Sequence, residues 1–223
     1  LSDAPERVSP SCPHAATCGG CRLLHIARDR ETQAKAAYLN DNLRRMAKLT
    51  DIPLEMVDFP NILSRTRGKL HVDGNVIGFR SHDANQVVAV PSCEVVPPTV
   101  TASLPELERL VDAATFSGEI YFATAASGER PVFTFRGDFT DLGELTTTLP
   151  GVAFETGEGI PVGALGEPTV NLTWNRVSVS LSPTAFFQSN PASWPIFWQW
   201  IDRFRETFSP ARVWDVHAGA GFL

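Results

Sequence analysis

The 223-residue chain is 43% hydrophobic and 20% charged, with a formal charge of −6. That balance excludes wholesale disorder and a uniformly basic coat for nucleic acid. No run of about 18 apolar residues marks a membrane-spanning helix, and the opening thirty residues do not make a signal peptide, so a cytoplasmic protein with no membrane role is expected. The charge is unevenly placed. From Arg7 to Lys48 eight basic residues stand against three acids, and Arg65, Arg67, Lys69 and Arg80 follow with only Asp73 against them. From residue 101 onward seven bases face fourteen acids. An anionic partner would therefore meet the N-terminal half, although Arg44, Arg45 and Lys48 read equally well as a solvated helix face.

In chain order, the first feature is Cys12-Pro13-His14-Ala15-Ala16-Thr17-Cys18-Gly19-Gly20-Cys21, with the fourth cysteine far downstream in Pro91-Ser92-Cys93-Glu94. Two glycines inside a C-x2-C pair let the backbone fold tightly round one metal centre. Thiolates are soft ligands and suit zinc or an iron–sulfur cluster. Zinc sites commonly pair two short knuckles, and only one is present, but His14 and His25 are available as substitutes. A cluster takes all four thiols with none left over. Disulfides would require an oxidising compartment, for which nothing in the sequence argues.

Asp29 to Leu49 reads as a helix, capped by Asp29, with Ala34, Ala37, Leu39, Leu43, Met46 and Leu49 as its apolar stripe. Residues 50–64 read as a linker. Gly68–Val72, Val76–Arg80 and Gln86–Val90 read as strands, the first two joined by the hairpin turn Asp73-Gly74-Asn75. Ser103–Ala113 is a short helix; Glu119–Ala123, Pro131–Arg136 and Val152–Glu155 are further strands. Thr169–Trp174 and Arg176–Leu181 form a hairpin, and Ser193–Phe208 is a helix loaded with Trp194, Phe197, Trp198, Trp200, Ile201 and Phe204. Arg212–Val216 reads as a strand entering a glycine loop. The expected fold class is α+β. A Cys loop and helix (1–57) precede a mainly antiparallel β domain (58–180) that contributes Cys93. The opening of a Rossmann-like α/β unit (181–223) follows.

The last motif, Val213-Trp214-Asp215-Val216-His217-Ala218-Gly219-Ala220-Gly221, is strand, acid, then G-x-G. Such a loop lets a nucleotide-like ligand approach the backbone, but alone it more often marks a tight turn. The sequence then stops on Phe222 and Leu223, which read as the start of the next helix's packing stripe.

Taken in order, four motifs resemble the uracil-5 RNA methyltransferases. They are Cys12-x5-Cys18-Gly-Gly-Cys21 with Cys93; Thr66-Arg67-Gly68-Lys69 followed by Gly78-Phe79-Arg80; Ser182-Pro183-Thr184-Ala185-Phe186-Phe187-Gln188-Ser189-Asn190; and Trp214-Asp215-Val216-His217-Ala218-Gly219. With no β-barrel module ahead of the Cys motif, the chain looks closer to the family's shorter branch. The resemblance implies an S-adenosylmethionine-dependent enzyme acting on a uridine of ribosomal or, second, transfer RNA, with a four-iron four-sulfur cluster on Cys12, Cys18, Cys21 and Cys93; the sequence does not fix the oligomeric state, and a monomer is the favoured expectation. It implies donor contacts from Gln188, Asp215, His217, Gly219 and Phe222, and RNA contacts from Arg67, Lys69 and Arg80. Core packing is the expected role of Phe186 and Phe187. Thr66 stands where the family has an aromatic, His217 where it has Tyr or Phe, Ala218 where it has Cys, and Phe222 where Asn or Thr is usual. Family chemistry uses a Cys thiolate that adds to C6 of the base and a Glu carboxylate that removes the C5 proton. Both are expected beyond Leu223, so the chain reads as ending before its catalytic segment and as inactive alone. A non-catalytic iron–sulfur or zinc RNA-binding protein is the alternative reading.

Overall fold

The computed structural model describes residues 4–50, 52–57, 65–174, 177–216 and 219. Its centre is a seven-stranded sheet in the order β3-β2-β1-β4-β5-β6-β7. The strands are β1 (Arg67–Asp73), β2 (Val76–Arg80), β3 (Val87–Ala89), β4 (Ser117–Ala123), β5 (Val132–Asp138), β6 (Gly151–Glu155) and β7 (Pro161–Gly166). Every neighbouring pair is antiparallel except β5–β6. A parallel pair needs a crossover of about a dozen residues. Here it carries no helix. Phe139, Leu142, Leu145 and Leu149 instead pack that irregular segment onto the core.

Alternation along the strands gives the sheet two unlike faces. Leu70, Ile77, Phe79, Ile120, Phe122, Phe133, Phe135, Val152 and Phe154 are buried on one. Against them pack α2 (Pro98–Ala102), through Val100, and α3 (Leu104–Ala114), through Leu107, Leu110, Val111 and Ala114. The register carries Arg67, Lys69 and His71 on the opposite face, beside Glu119 and Tyr121 of β4. Arg136 of β5 and Glu155 of β6 continue that polar row.

Glu106 ties α3 to the crossover. It accepts from Arg109, from Thr147 Oγ1 at 2.9 Å and from Thr148 N at 3.1 Å. The Arg109 guanidinium, chiefly, holds its carboxyl down to about 2, against an ordinary 4.5. A depressed folded-state pKa gives stability that is complete above 4.5 and is lost as pH falls from there towards 2. Urea midpoints of the wild type should therefore drop over that interval more steeply than those of Glu106→Gln, which has no carboxyl to protonate. Parallel pH profiles would refute the assignment.

A second sheet pairs β8 (Val170–Trp174) with β9 (Val177–Leu181). Val170 and Leu172 of this hairpin join Ala123, Val132, Phe187 and Trp194 in a separate apolar cluster. That cluster draws on both sides of the 180/181 boundary expected from the sequence. Trp194 opens α4 (Trp194–Phe208), after a 3-10 turn over Pro191–Ser193 in which Asn190 accepts from Ala192 N.

Several expectations need correction. Helix α1 (Arg28–Asn42) starts one residue early, on Ala27 rather than an Asp29 cap. It then widens into a π turn over Leu43–Ala47, and neither segment buries a residue. Its apolar positions are too widely scattered round the cylinder to form a core face, and Met46 is 80% exposed. The expected strand at Arg212–Val216 is irregular, since no described segment lies alongside to complete a ladder. The helix start expected at Phe222 and Leu223 lies outside the described residues. β7 and α2 escaped prediction: Pro161, Gly163 and Gly166 read as loop, and five residues are too few for helical periodicity. Among the described residues no helix is long and apolar enough to cross a membrane.

Candidate functional site

The Cys loop is docked on the β2–β3 hairpin. Gly19 N–H donates to Arg80 O at 2.8 Å, Cys18 bridges Ser81, and His82 N–H donates to Thr17 O at 3.2 Å. The approach is close enough to demand glycine. A Cβ on Gly19 would lie 2.6 Å from Ser81 O and 2.9 Å from Arg80 O. Ser11 Oγ donates to Glu94 Oε2 at 2.7 Å, tying the residue before Cys12 to the residue after Cys93. These links bring the remote cysteine to the other three.

All four cysteines are free thiols, half-buried round one cavity. Its apolar walls are Leu24, Phe79, Val90 and Val95. Gly20 N–H donates to Cys18 Sγ at 3.4 Å. Burial pushes the Cys21 thiol up; Arg65 opposes the shift, and Cys93, Cys18 and Cys12 reinforce it, in that order. Cys21 is thus within electrostatic range of the other three thiols, and His14 is the cavity's one imidazole. Among the described residues no three His, Cys, Asp or Glu groups close on a single ion position. His25 faces a different cavity, on the outer side of Cys21.

The segment Ser182–Asn190 is clamped to the start of β1. Buried Thr66 donates to Ser189 O twice, from N at 2.9 Å and from Oγ1 at 2.8 Å, while its own carbonyl accepts from Thr124 N at 2.8 Å. This explains a hydroxyl where an aromatic was expected: the side chain knots two segments rather than facing out. The Arg67 guanidinium lies 5.2 Å from the Phe186 ring centroid and 5.4 Å from that of Phe187. Burial lowers the Arg67 pKa, and its Nε is buried without a hydrogen-bond partner. Phe187 packs in the core as expected, but Phe186 does not: it is 59% exposed, because its partners are the Arg67 cation and the glycine loop.

Gln188 follows directly. Its carbonyl accepts from Trp194 Nε1–H at 2.9 Å, which fixes the main chain between loop and helix. Gly219, with φ +59°, sits against the same loop: a Cβ there would meet Phe186 Cδ1 and O at 3.3 Å. Thus two of the donor-associated motifs meet at Phe186. Asp215 is exposed. His217 and Phe222, expected at the donor, lie outside the described residues, as does Leu223, beyond which the nucleophilic Cys and the Glu base were expected. The described residues therefore show neither group.

Of the residues expected to meet RNA, Lys69 donates to Glu119 Oε1 at 2.6 Å and lies 5.6 Å from the Tyr121 ring centroid. Burial pushes the Glu119 carboxyl up, but hydrogen bonds from Lys69 and Tyr121 outweigh it and leave it below the usual range. Arg80 is exposed at the end of β2. Burial, then Arg80, then Lys69 lower the pKa of His71, against the pull of Glu119. His71 therefore sits within electrostatic reach of both Arg80 and Lys69. The polar row of Glu119, Tyr121, Arg136 and Glu155 was missed in the sequence; only the paired register reveals it.

No family model matches the chain. Curated relatives include the 23S rRNA (uracil(1939)-C(5))-methyltransferase RlmD of Photorhabdus laumondii, 34% identical over 119 residues, 51% of this chain and 27% of that protein. RlmD of Alkalilimnicola ehrlichii is 28% identical over 196 residues, 79% of this chain and 42% of the relative. An uncharacterized RNA methyltransferase of Aquifex aeolicus is 23% identical over all of this chain and 55% of its own length. The matches thus span between 27% and 55% of the length of these curated relatives. Among solved structures, the Pyrococcus abyssi tRNA (uracil-54, C5)-methyltransferase in complex with S-adenosyl-L-homocysteine superposes with a TM-score of 0.69. It is 18% identical and aligns over 91% of this chain and 52% of that one.

Proposed function

We propose that this chain is a member of the uracil-5 RNA methyltransferase family and forms the RNA-holding and donor-holding part of an enzyme that methylates C5 of a uridine in ribosomal RNA. The observation that carries this reading is the contact of Gly219 with Phe186, beside the Arg67 clamp. S-adenosylmethionine, when bound, supplies an electrophilic methyl group. Gln188, Asp215 and Gly219, with His217 and Phe222, are the proposed donor contacts. Arg67 stiffens the donor loop from below, and exposed Phe186 offers a ring face where a base drawn out of its stack would arrive. Arg67, Lys69 and Arg80 are the proposed phosphate contacts.

Cys12, Cys18, Cys21 and Cys93 would hold a four-iron four-sulfur cluster. Four soft donors round one apolar-walled cavity fit that group. Its chemistry there would be structural, cross-linking the N-terminal loop to the Cys93 segment. The sequence holds four cysteines and all four line this cavity, so none is left to add to C6 of a uracil. The chain by itself is expected to bind both ligands without transferring a methyl group.

Anisotropy with a uridine-containing ribosomal RNA hairpin, and calorimetry with S-adenosylhomocysteine, test this. Both should bind, and Gln188→Ala should weaken the donor analogue about tenfold while leaving RNA affinity unchanged. Failure of either ligand to bind overturns the reading. A transfer RNA that displaces the hairpin at lower concentration overturns the preference for ribosomal RNA. Labelled methyl groups appearing in RNA would overturn the assignment of all four thiols to the cluster.

A further inference from the structure

A second cavity, of about 370 Å³, opens on the outer side of the Cys loop, lined by Pro10, Ala15, Cys21, Arg22, Leu24, His25 and His82. No carboxylate lines it, and its charged or chargeable nitrogen groups are Arg22, His25 and His82. Arg22 is exposed and forms no ion pair among the described residues. In a chain with more acids than bases, a cavity with basic groups and no acid is a selective feature.

Its walls are held by the main chain rather than by flexible side chains. His25 O accepts from Val8 N at 3.0 Å, which pairs the segment before the Cys loop with the segment after it. His82 Nε2 lies 3.0 Å from Ala15 O, fixing that imidazole on the Cys loop. His82 stands two residues beyond Arg80, the exposed end of β2. The cavity therefore lies at the end of the strand that carries Arg80. Phosphates recur regularly along a nucleic acid backbone, and a basic track serves one only if successive cations line the same path.

We propose that this cavity seats a backbone phosphate of the bound RNA, upstream or downstream of the target uridine, with Arg22 as the fixed charge and His25 as the flanking donor. The assignment rests on the RNA reading above. It adds a contact that none of the four motifs contains and gives the Cys loop a direct role in holding RNA.

The test uses the whole chain and the same ribosomal RNA hairpin, titrated at several salt concentrations. Arg22→Glu should weaken binding about tenfold at low salt and flatten the dependence of log affinity on log salt by about one unit. Arg22→Lys should restore most of both. Arg30→Glu, an exposed change on α1, should do neither. Cysteine reactivity equal to wild type shows that the loop stays docked. If wild type binds RNA and Arg22→Glu binds within about twofold of it with the same salt slope, the cavity is not a phosphate seat and the RNA reading stands. If wild type does not bind RNA, both fall together. An equal loss in Arg30→Glu would mean diffuse attraction and would overturn the cavity as a defined site.

Discussion

Trp194→Ala is expected to destabilise the protein by about 3–5 kcal/mol, read as a shift in the urea midpoint. Trp194 is 1% exposed and is the largest side chain of the cluster it shares with Ala123, Val132, Val170, Leu172 and Phe187. Truncation would leave a void between three elements: the end of the central sheet, the β8–β9 hairpin and α4. Cavities at such junctions collapse poorly, which puts the cost at the upper end for a core position. The indole also donates to Gln188 O, so two effects are mixed in the alanine variant. Trp194→Phe separates them. It keeps much of the apolar area but deletes the donor, at a stability cost of about 1–2 kcal/mol. It should still weaken S-adenosylhomocysteine, because the carbonyl that anchors the Gln188 main chain loses its partner. Unchanged donor affinity in Trp194→Phe would mean that the Ser182–Asn190 loop is held by Thr66 and Arg67 alone.

That loop shows how far the sequence could be read. Its motif stood out as a string of residue types, and the fold class and most strands followed from alternation and turn residues. What no string displays is contact. Thr66 looked like a departure from pattern, yet it lies 123 positions from Ser189 and bonds it. Phe186 and Phe187 are adjacent and chemically identical, but consecutive residues in an extended loop point opposite ways. One enters the core while the other lies exposed against Gly219, and the Arg67 guanidinium is about equally far from both rings. The polar row on the central sheet was invisible for a related reason. Lys69, Glu119, Arg136 and Glu155 come from four strands, and only the register sets them side by side. Helix α1 failed in the other direction. Its residues have good helical propensity, but propensity says nothing of a face to bury, and none is buried. The Cys loop was the most legible part, because the short spacing of three thiols already restricts them to one neighbourhood. The arrival of Cys93 depended on the β2–β3 hairpin and the Ser11–Glu94 bond.

Cys21→Ser should abolish iron and sulfide content in protein prepared without oxygen, where wild type is expected to carry both with a broad visible absorption. Cys21 is the second thiol of the tight C-x2-C knuckle, and it lines both the four-thiol cavity and the outer basic cavity. A hydroxyl is a harder and far weaker ligand than a thiolate, and the two residues between the knuckle's thiols are glycines with no side chain to replace it. The structural consequence is the larger one. Ligand binding to a site that does not exist in the unfolded chain is folding free energy, reaching about 10 kcal/mol or more for tightly held structural metals. Without it, the loop depends on the Gly19–Arg80, His82–Thr17, His82–Ala15 and Ser11–Glu94 hydrogen bonds and a few apolar contacts. Amide exchange at Gly19 and His82 should therefore accelerate by orders of magnitude in Cys21→Ser, while amides of β4 and β5 in the central core stay protected. Cys93→Ser should do the same, because it removes another of the four thiols that line the cavity. If Cys21→Ser retains full iron and slow exchange at Gly19, the four cysteines do not act as one ligand set. If wild type carries one tightly bound zinc and no iron, the ligand set stands and the cluster does not.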